Sequence, residues 1–151
     1  VKSGRILTNK TLLISEGKIE EISDTKEYQA REVIDAEGKL VTPAFVDPHI
    51  HPTDVFGDYE KAPKTLAGDS LEILRKKLSD EYLPFGTTTV MTMGQPESWL
   101  NELLNWQNIP DEKNVDFIIS GGALISKDNR KPYIAHTEVT SPKLAKQKML
   151  E

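Results

Sequence analysis

The sequence predicts an α/β protein in two parts, residues 1–43 and 44–151. Up to residue 42, short β-prone runs alternate with turns, the pattern of antiparallel hairpins. Beyond Pro43, β-prone runs alternate with stretches of helical period, the pattern of βα crossover units in a parallel sheet. A third observation marks a site. Two of the three histidines, His49 and His51, stand where the first run of the second part opens into a loop, which is where α/β folds carry their chemistry.

In the first part, Arg5-Ile6-Leu7-Thr8, Thr11-Leu12-Leu13-Ile14-Ser15 and Lys18-Ile19-Glu20-Glu21-Ile22-Ser23 are β-prone, and Glu16-Gly17 marks a hairpin with positive φ at Gly17. Residues 32–36 and 39–41, split by Glu37-Gly38, read as a second hairpin. Forty residues of hairpin bury too little surface to be stable alone.

In the second part, residues 44–49 form the first parallel strand. Residues 52–69, with Pro52, Gly57, Pro63 and Gly68, have no period and read as a long structureless loop, a length that is usually functional. Asp69-Ser70-Leu71-Glu72 has capping-box spacing for a helix beginning at Ser70, with Leu71, Leu74, Leu78 and Tyr82 on one face and Pro84 and Gly86 ending it. Residues 87–93 are the second strand. A second helix follows Pro96, with Leu100, Leu103, Leu104 and Gln107 sharing a face and Trp99 or Trp106 covering its flank. Residues 115–119 are the third strand. Gly121-Gly122 at its end read as a turn that also permits close approach of a ligand or a neighbouring loop. Residues 126–140 read as a polar loop, and Ser141-Pro142 open a third helix with Leu144, Ala145 and Met149.

The balance of residues excludes some partners. The chain has 151 residues, 37% hydrophobic and 28% charged, with a net charge of −5. The longest basic cluster is Arg75-Lys76-Lys77, so nucleic acid and anionic membrane are not expected partners. No cysteine is present, so thiolate metal sites and disulfides are impossible. No apolar run is long enough to span a membrane. No signal peptide is visible and a cytoplasmic location is expected, although a start at Val1 leaves room for a leader or a few residues ahead of it.

The chemistry sits in Val46-Asp47-Pro48-His49-Ile50-His51-Pro52. Side chains two apart in an extended segment project together, so His49 and His51 are placed to share one divalent metal ion. The competing reading is a pair of surface histidines on a strand edge. The buried strand leading in, the preceding Asp47, and the prolines that break the ladder favour the metal.

The residues Leu40-Val41-Thr42-Pro43-Ala44-Phe45-Val46-Asp47-Pro48-His49-Ile50-His51 resemble the start of the catalytic barrel in the amidohydrolase superfamily, which commonly reads Pro-Gly-Phe-Ile/Val-Asp-x-His-x-His. Ser3-Gly4-Arg5-Ile6-Leu7 and Glu16-Gly17-Lys18-Ile19 resemble its N-terminal strands, and Gly86-Thr87-Thr88-Thr89-Val90 the entry to its second barrel strand. Ala44 departs from the usual Gly. The resemblance implies the first three βα units of a TIM (β/α)8 barrel, preceded by a small antiparallel β-sandwich subdomain. A whole barrel needs roughly 250 residues, and 108 follow Pro43, so an N-terminal fragment is expected.

By the same resemblance, His49 and His51 are ligands of a divalent metal, zinc in the first instance, in a site of one or two ions. Asp47 is a hydrogen-bonding support. The activity implied is metal-dependent hydrolysis of a C–N bond in a small-molecule substrate: a cyclic amide, an amide or a deamination substrate. The family's other ligands and its catalytic base lie on later strands, so the fragment alone is expected to be inactive, and its open strand edges predict a homo-oligomer. Thr53 stands where members such as dihydroorotase carry Arg or Asn, which counts against that specificity; imidazolonepropionase-like, deaminase-like and peptidase-like substrates stay open. The alternative is a non-catalytic scaffold or interaction protein of the same fold. His136, Asp54 and Asp58 are weighed as substrate contacts against plain loop residues, and the plain reading is preferred.

Overall fold

A computed structural model describes residues 4–24, 27–109, 111–127 and 134–150. The chain divides into two compact units, one ending at Val41 and the other starting at Thr42.

In the first unit, β1 (Thr11–Ser15) and β2 (Lys18–Ser23) pair antiparallel. The turn between them holds Glu16 and Gly17 at φ 49° and 73°, the two positive dihedrals that suit the right-handed twist of a hairpin. Leu12 stands opposite Ile22 and Ile14 opposite Ile19. A bulge in the register beside Leu13 and Ile14 lets Ile19 and Ile22, three residues apart, share one face. The second expected hairpin is only half formed. Its turn exists, with Glu37 and Gly38 at positive φ and the Lys39 N–H donating to the Ala36 carbonyl at 2.8 Å, but residues 32–36 and 39–41 make no ladder. Residues 5–8 are likewise outside any strand. Val33, Ile34, Leu40 and Val41 are all exposed, and strands with no covered face are marginal in water. Among the described residues the unit therefore holds one two-stranded sheet and no sandwich.

In the second unit, β3 (Phe45–Ile50), β4 (Thr87–Thr92) and β5 (Asp116–Ile119) form a parallel sheet in that order. The connections contain α1 (Asp69–Tyr82) and α2 (Leu100–Gln107). Ile50, Val90 and Phe117 cluster with Leu74 and Leu78 of α1 and Leu103 and Trp106 of α2 in the core. Trp106 stacks on Phe117 with centroids 4.7 Å apart, and the Arg75 guanidinium lies over its ring. The opposite face of the sheet is open: Val46 and Ile118 are exposed there. Two short parallel strands, β6 (Ala123–Ile125) and β7 (His136–Glu138), and α3 (Pro142–Lys148) complete the unit. The architecture is mixed α/β with parallel sheets and a small antiparallel one.

Four local expectations are corrected. Helix α1 begins at Asp69, its N-cap is Gly68, and no side chain caps it; the Ser70 hydroxyl serves the preceding turn, accepting the Ala67 N–H at 3.0 Å. The buried face of the second helix runs through Trp99, Leu103 and Trp106, leaving Leu104 exposed. Trp99 ends a 3-10 turn at Glu97–Trp99 that precedes the α-helix, and Trp106 stacks on Phe117. The stretch 52–69 is structured: a 3-10 turn at Pro52–Phe56 opens it and Leu66 is buried. The Trp99 indole N–H donates to the Pro63 carbonyl at 2.9 Å and the Lys77 ammonium to the Val55 carbonyl at 3.1 Å. Finally, β7 lies within the region read as polar loop, of which residues 128–133 are outside the described set. The third helix is as expected, with the Ser141 hydroxyl accepting the Leu144 N–H.

Candidate metal site

The register of β3 decides where the histidines go. Asp47 lies level with Val90 of β4, yet Ile50 lies level with Thr92. Three steps along β3 match two along β4, so one extra residue is accommodated at Pro48-His49. The cause is local. Pro48 has no N–H to give the ladder, and the His49 N–H is taken by the Asp47 carboxylate at 3.0 Å. A bulge shifts the alternation of side chains by one. Asp47 and Ile50 both take the helix side of the sheet, and His49 passes to the open side.

Both histidines are exposed, at the C-terminal end of β3. Their rings stand edge to face, with centroids 5.4 Å apart and planes at 82°. Imidazole nitrogens about 2.1 Å from a shared zinc ion are compatible with that centroid separation. Two neutral-imidazole donors with further positions open fit a metal that must also bind water or substrate. Among the described residues, no group of three or more His, Cys, Asp or Glu is spaced for a metal; His49 and His51 stand together as a pair.

The neighbouring strand ends are tied down by a buried amide. Gln95 and Thr92 are fully enclosed. The Thr92 hydroxyl donates to Gln95 Oε1 at 3.0 Å, and Gln95 Nε2 donates to the Ser120 carbonyl at 3.1 Å. The Gln95 carbonyl accepts the Ala135 N–H at 2.8 Å, and the Ala135 carbonyl accepts the Ala123 N–H at 2.8 Å. One residue thus joins the ends of β4 and β5 to the segment leading into β7. Sequence reading passed over Gln95; a glutamine directly after a strand and a glycine was the available signal. The diglycine works as a close approach: a Cβ on Gly122 would stand 3.2 Å from the Ala135 carbonyl oxygen, so a neighbouring loop fills the space.

The remaining candidates are placed as follows. His136 is half-buried on β7, its Nδ1 2.8 Å from the Ile134 carbonyl; a carbonyl only accepts, so a neutral ring keeps its proton on Nδ1 and leaves Nε2 as an acceptor. It does not join the pair in a metal-spaced group. Asp54 is exposed in the 3-10 turn. Asp58 binds its own turn, accepting the Lys61 N–H at 2.9 Å and pairing with the Lys61 ammonium at 3.1 Å; these contacts hold its carboxyl below the usual carboxylate range. Thr53 is buried within the 3-10 turn at Pro52–Phe56. A cleft between this loop and the turn before α2 is lined by Tyr59, Lys64, Pro96 and Ser98 but by neither His49 nor His51.

The profile described as "Amidohydrolase family" matches residues 32–81, a span that contains β3, the histidine pair and most of α1. Over that span the chain is similar to the amidohydrolase family. Curated relatives agree. A dihydroorotase from Listeria welshimeri is 37% identical over 67 residues, covering 40% of this chain and 16% of the relative. An imidazolonepropionase from Staphylococcus aureus is 42% identical over 73 residues, covering 46% and 17%. The matched stretch is thus about one sixth of those relatives' length. No solved structure matches. No helix among the described residues is long and apolar enough to cross a membrane.

Proposed function

We propose that this chain belongs to the amidohydrolase superfamily and contributes a metal-dependent hydrolase site acting on a C–N bond of a small-molecule substrate, with His49 and His51 as ligands of a divalent metal, zinc in the first instance. The observation that carries the reading is the edge-to-face histidine pair at the C-terminal end of β3. A divalent metal, when bound, supplies Lewis acidity that brings water towards ionisation near neutral pH, from about 15.7 to about 7.

The chain's own residues do the placing. The Asp47 carboxylate fixes the His49 backbone, and the bulge turns the ring to the open face. The amide of Gln95 holds the ends of β4 and β5 together. We read the three βα units as the opening part of a (β/α)8 barrel, whose C-terminal strand ends bear its active site. Chemical class of substrate follows the relatives, whose names denote hydrolases.

Metal content tests this. In equilibrium dialysis against zinc, the wild-type chain is expected to bind metal, and H49A and H51A to bind much less while still folded by circular dichroism. Zinc binding by both variants equal to that of wild type would overturn the assignment.

A further inference from the structure

We propose that His136 is a substrate-binding residue beside the histidine pair, and that its Nε2 accepts a hydrogen bond from the N–H of an amide substrate. The inference deepens the metal-site reading and rests on it for what the pair holds.

Three contacts place the residue. Ile50, the last of β3, lies level with Thr92, and its carbonyl accepts the Met93 N–H at 2.9 Å. The chain therefore leaves β4 through Met93 and Gly94 beside the point where it leaves β3 through His51. Ile134 packs on that exit: a Cβ on Gly94 would stand 2.6 Å from Ile134 Cγ2. The Gln95 carbonyl accepts the Ala135 N–H at 2.8 Å. His136 follows directly, half-buried at the start of β7. The stretch leading into β7 is thus laid across the end of the strand next to β3, at the C-terminal end of the sheet, where parallel sheets bind their ligands.

The ring turns back toward this exit. Its Nδ1 is 2.8 Å from the carbonyl of Ile134, two residues upstream, so the imidazole lies alongside the residue that packs on Gly94. A carbonyl oxygen only accepts, so the neutral ring carries its proton on Nδ1 and offers Nε2 as an acceptor. Among the described residues, Ile134 is the ring's one hydrogen-bond partner. His136 also stands outside any metal-spaced group with His49 and His51. A fixed acceptor at the neighbouring strand end, outside the ion's ligand set, meets what the ion holds and not the ion. In a substrate cleaved at a C–N bond, the donor that suits it is the amide N–H. Selectivity follows: an amide bearing N–H is favoured over its N-methyl form, which would set a methyl group against Nε2.

Heteronuclear NMR of the histidine side chains tests the proposal. The probes are pyrrolidinone, a cyclic amide with one N–H, and N-methylpyrrolidinone, which has none. The free protein is expected to show His136 protonated at Nδ1. Pyrrolidinone should shift the Nε2 resonance, and the N-methyl form should not. His136→Phe keeps a ring and removes the acceptor; it should bind pyrrolidinone about 2–10-fold more weakly and leave binding of the N-methyl form unchanged. Manganese(II) in place of zinc should broaden the His136 ring signals, and H51A should abolish that broadening. A ring protonated at Nε2, equal responses to the two amides, no response to either, or unchanged amide binding by a folded H136F would each overturn the proposal. So would a His136 ring left sharp while manganese broadens His49 and His51. The wild-type shifts decide the matter alone if H136F fails to fold. If neither manganese nor zinc binds, the metal reading falls, and the response of Nε2 to pyrrolidinone still decides the role of His136.

Discussion

The Asp47 carboxylate accepts the backbone N–H of His49 at 3.0 Å, across a proline that cannot take part in the ladder. The bond gives the His49 N–H a partner where the register of β3 on β4 is irregular. Asp47→Ala should therefore cost stability as well as metal, by about 1 kcal/mol for one hydrogen bond. Asp47→Asn, which keeps an accepting Oδ1, should cost less. Urea denaturation of the two variants decides; equal losses would mean that charge, not the accepted N–H, is what matters.

Gly94 sits at φ 148°, and a Cβ there would stand 2.6 Å from Cγ2 of Ile134. Two separate penalties follow, one steric and one conformational. Gly94→Ala should destabilise by about 1–3 kcal/mol. Adding Ile134→Ala should recover the steric share only, so the double variant should unfold above G94A once the cost of Ile134→Ala alone is allowed for. A double variant no better than the two losses summed would show that the crowding at Ile134 contributes nothing.

Gln95 is buried and satisfies both Thr92 and the Ser120 carbonyl. Gln95→Leu has similar volume but leaves those groups unpaired, a loss of about 1–3 kcal/mol. Thermal unfolding gives the value, and no change in midpoint would show that the clasp is dispensable.

Tyr82 predicts a stability loss in alkali. Its ionisation is raised in the fold, first by burial and then by the neighbouring carboxylates. Below pH 10 the phenol is protonated in both states and contributes no pH dependence. As pH rises past the ordinary value of 10.0, the unfolded chain releases the proton first and stability falls until the folded group also ionises. Y82F should lack that share of the decline. Stability measured between pH 9 and pH 11 checks it; parallel curves for the two proteins would contradict the burial of this hydroxyl beside Asp47.

Much of this was legible in the residues. Leu74 and Leu78 recur at helical spacing and are buried together; Glu16-Gly17 is a turn dipeptide and makes the turn. His49 and His51 share a neighbourhood because they are two apart. What was not legible depends on tertiary contacts. The face of α2 is set by where β5 and Phe117 lie, so Trp106 is stacked while Leu104 is exposed. The second hairpin of the first unit has the right turn at Glu37-Gly38, but Val33 and Ile34 find nothing to pack on. The bulge at Pro48 could be suspected from the proline and Asp47 was expected as a hydrogen-bonding support, but that it takes the His49 N–H depends on the register of β3 on β4.

The central claim is that His49 and His51 bind one metal ion together. A crystal structure of the zinc-loaded protein, with data collected on both sides of the zinc absorption edge, tests it most directly. The account predicts a single anomalous peak between the two rings, within coordination distance of one nitrogen from each. A peak elsewhere, or a peak held by only one of these imidazoles, would contradict it.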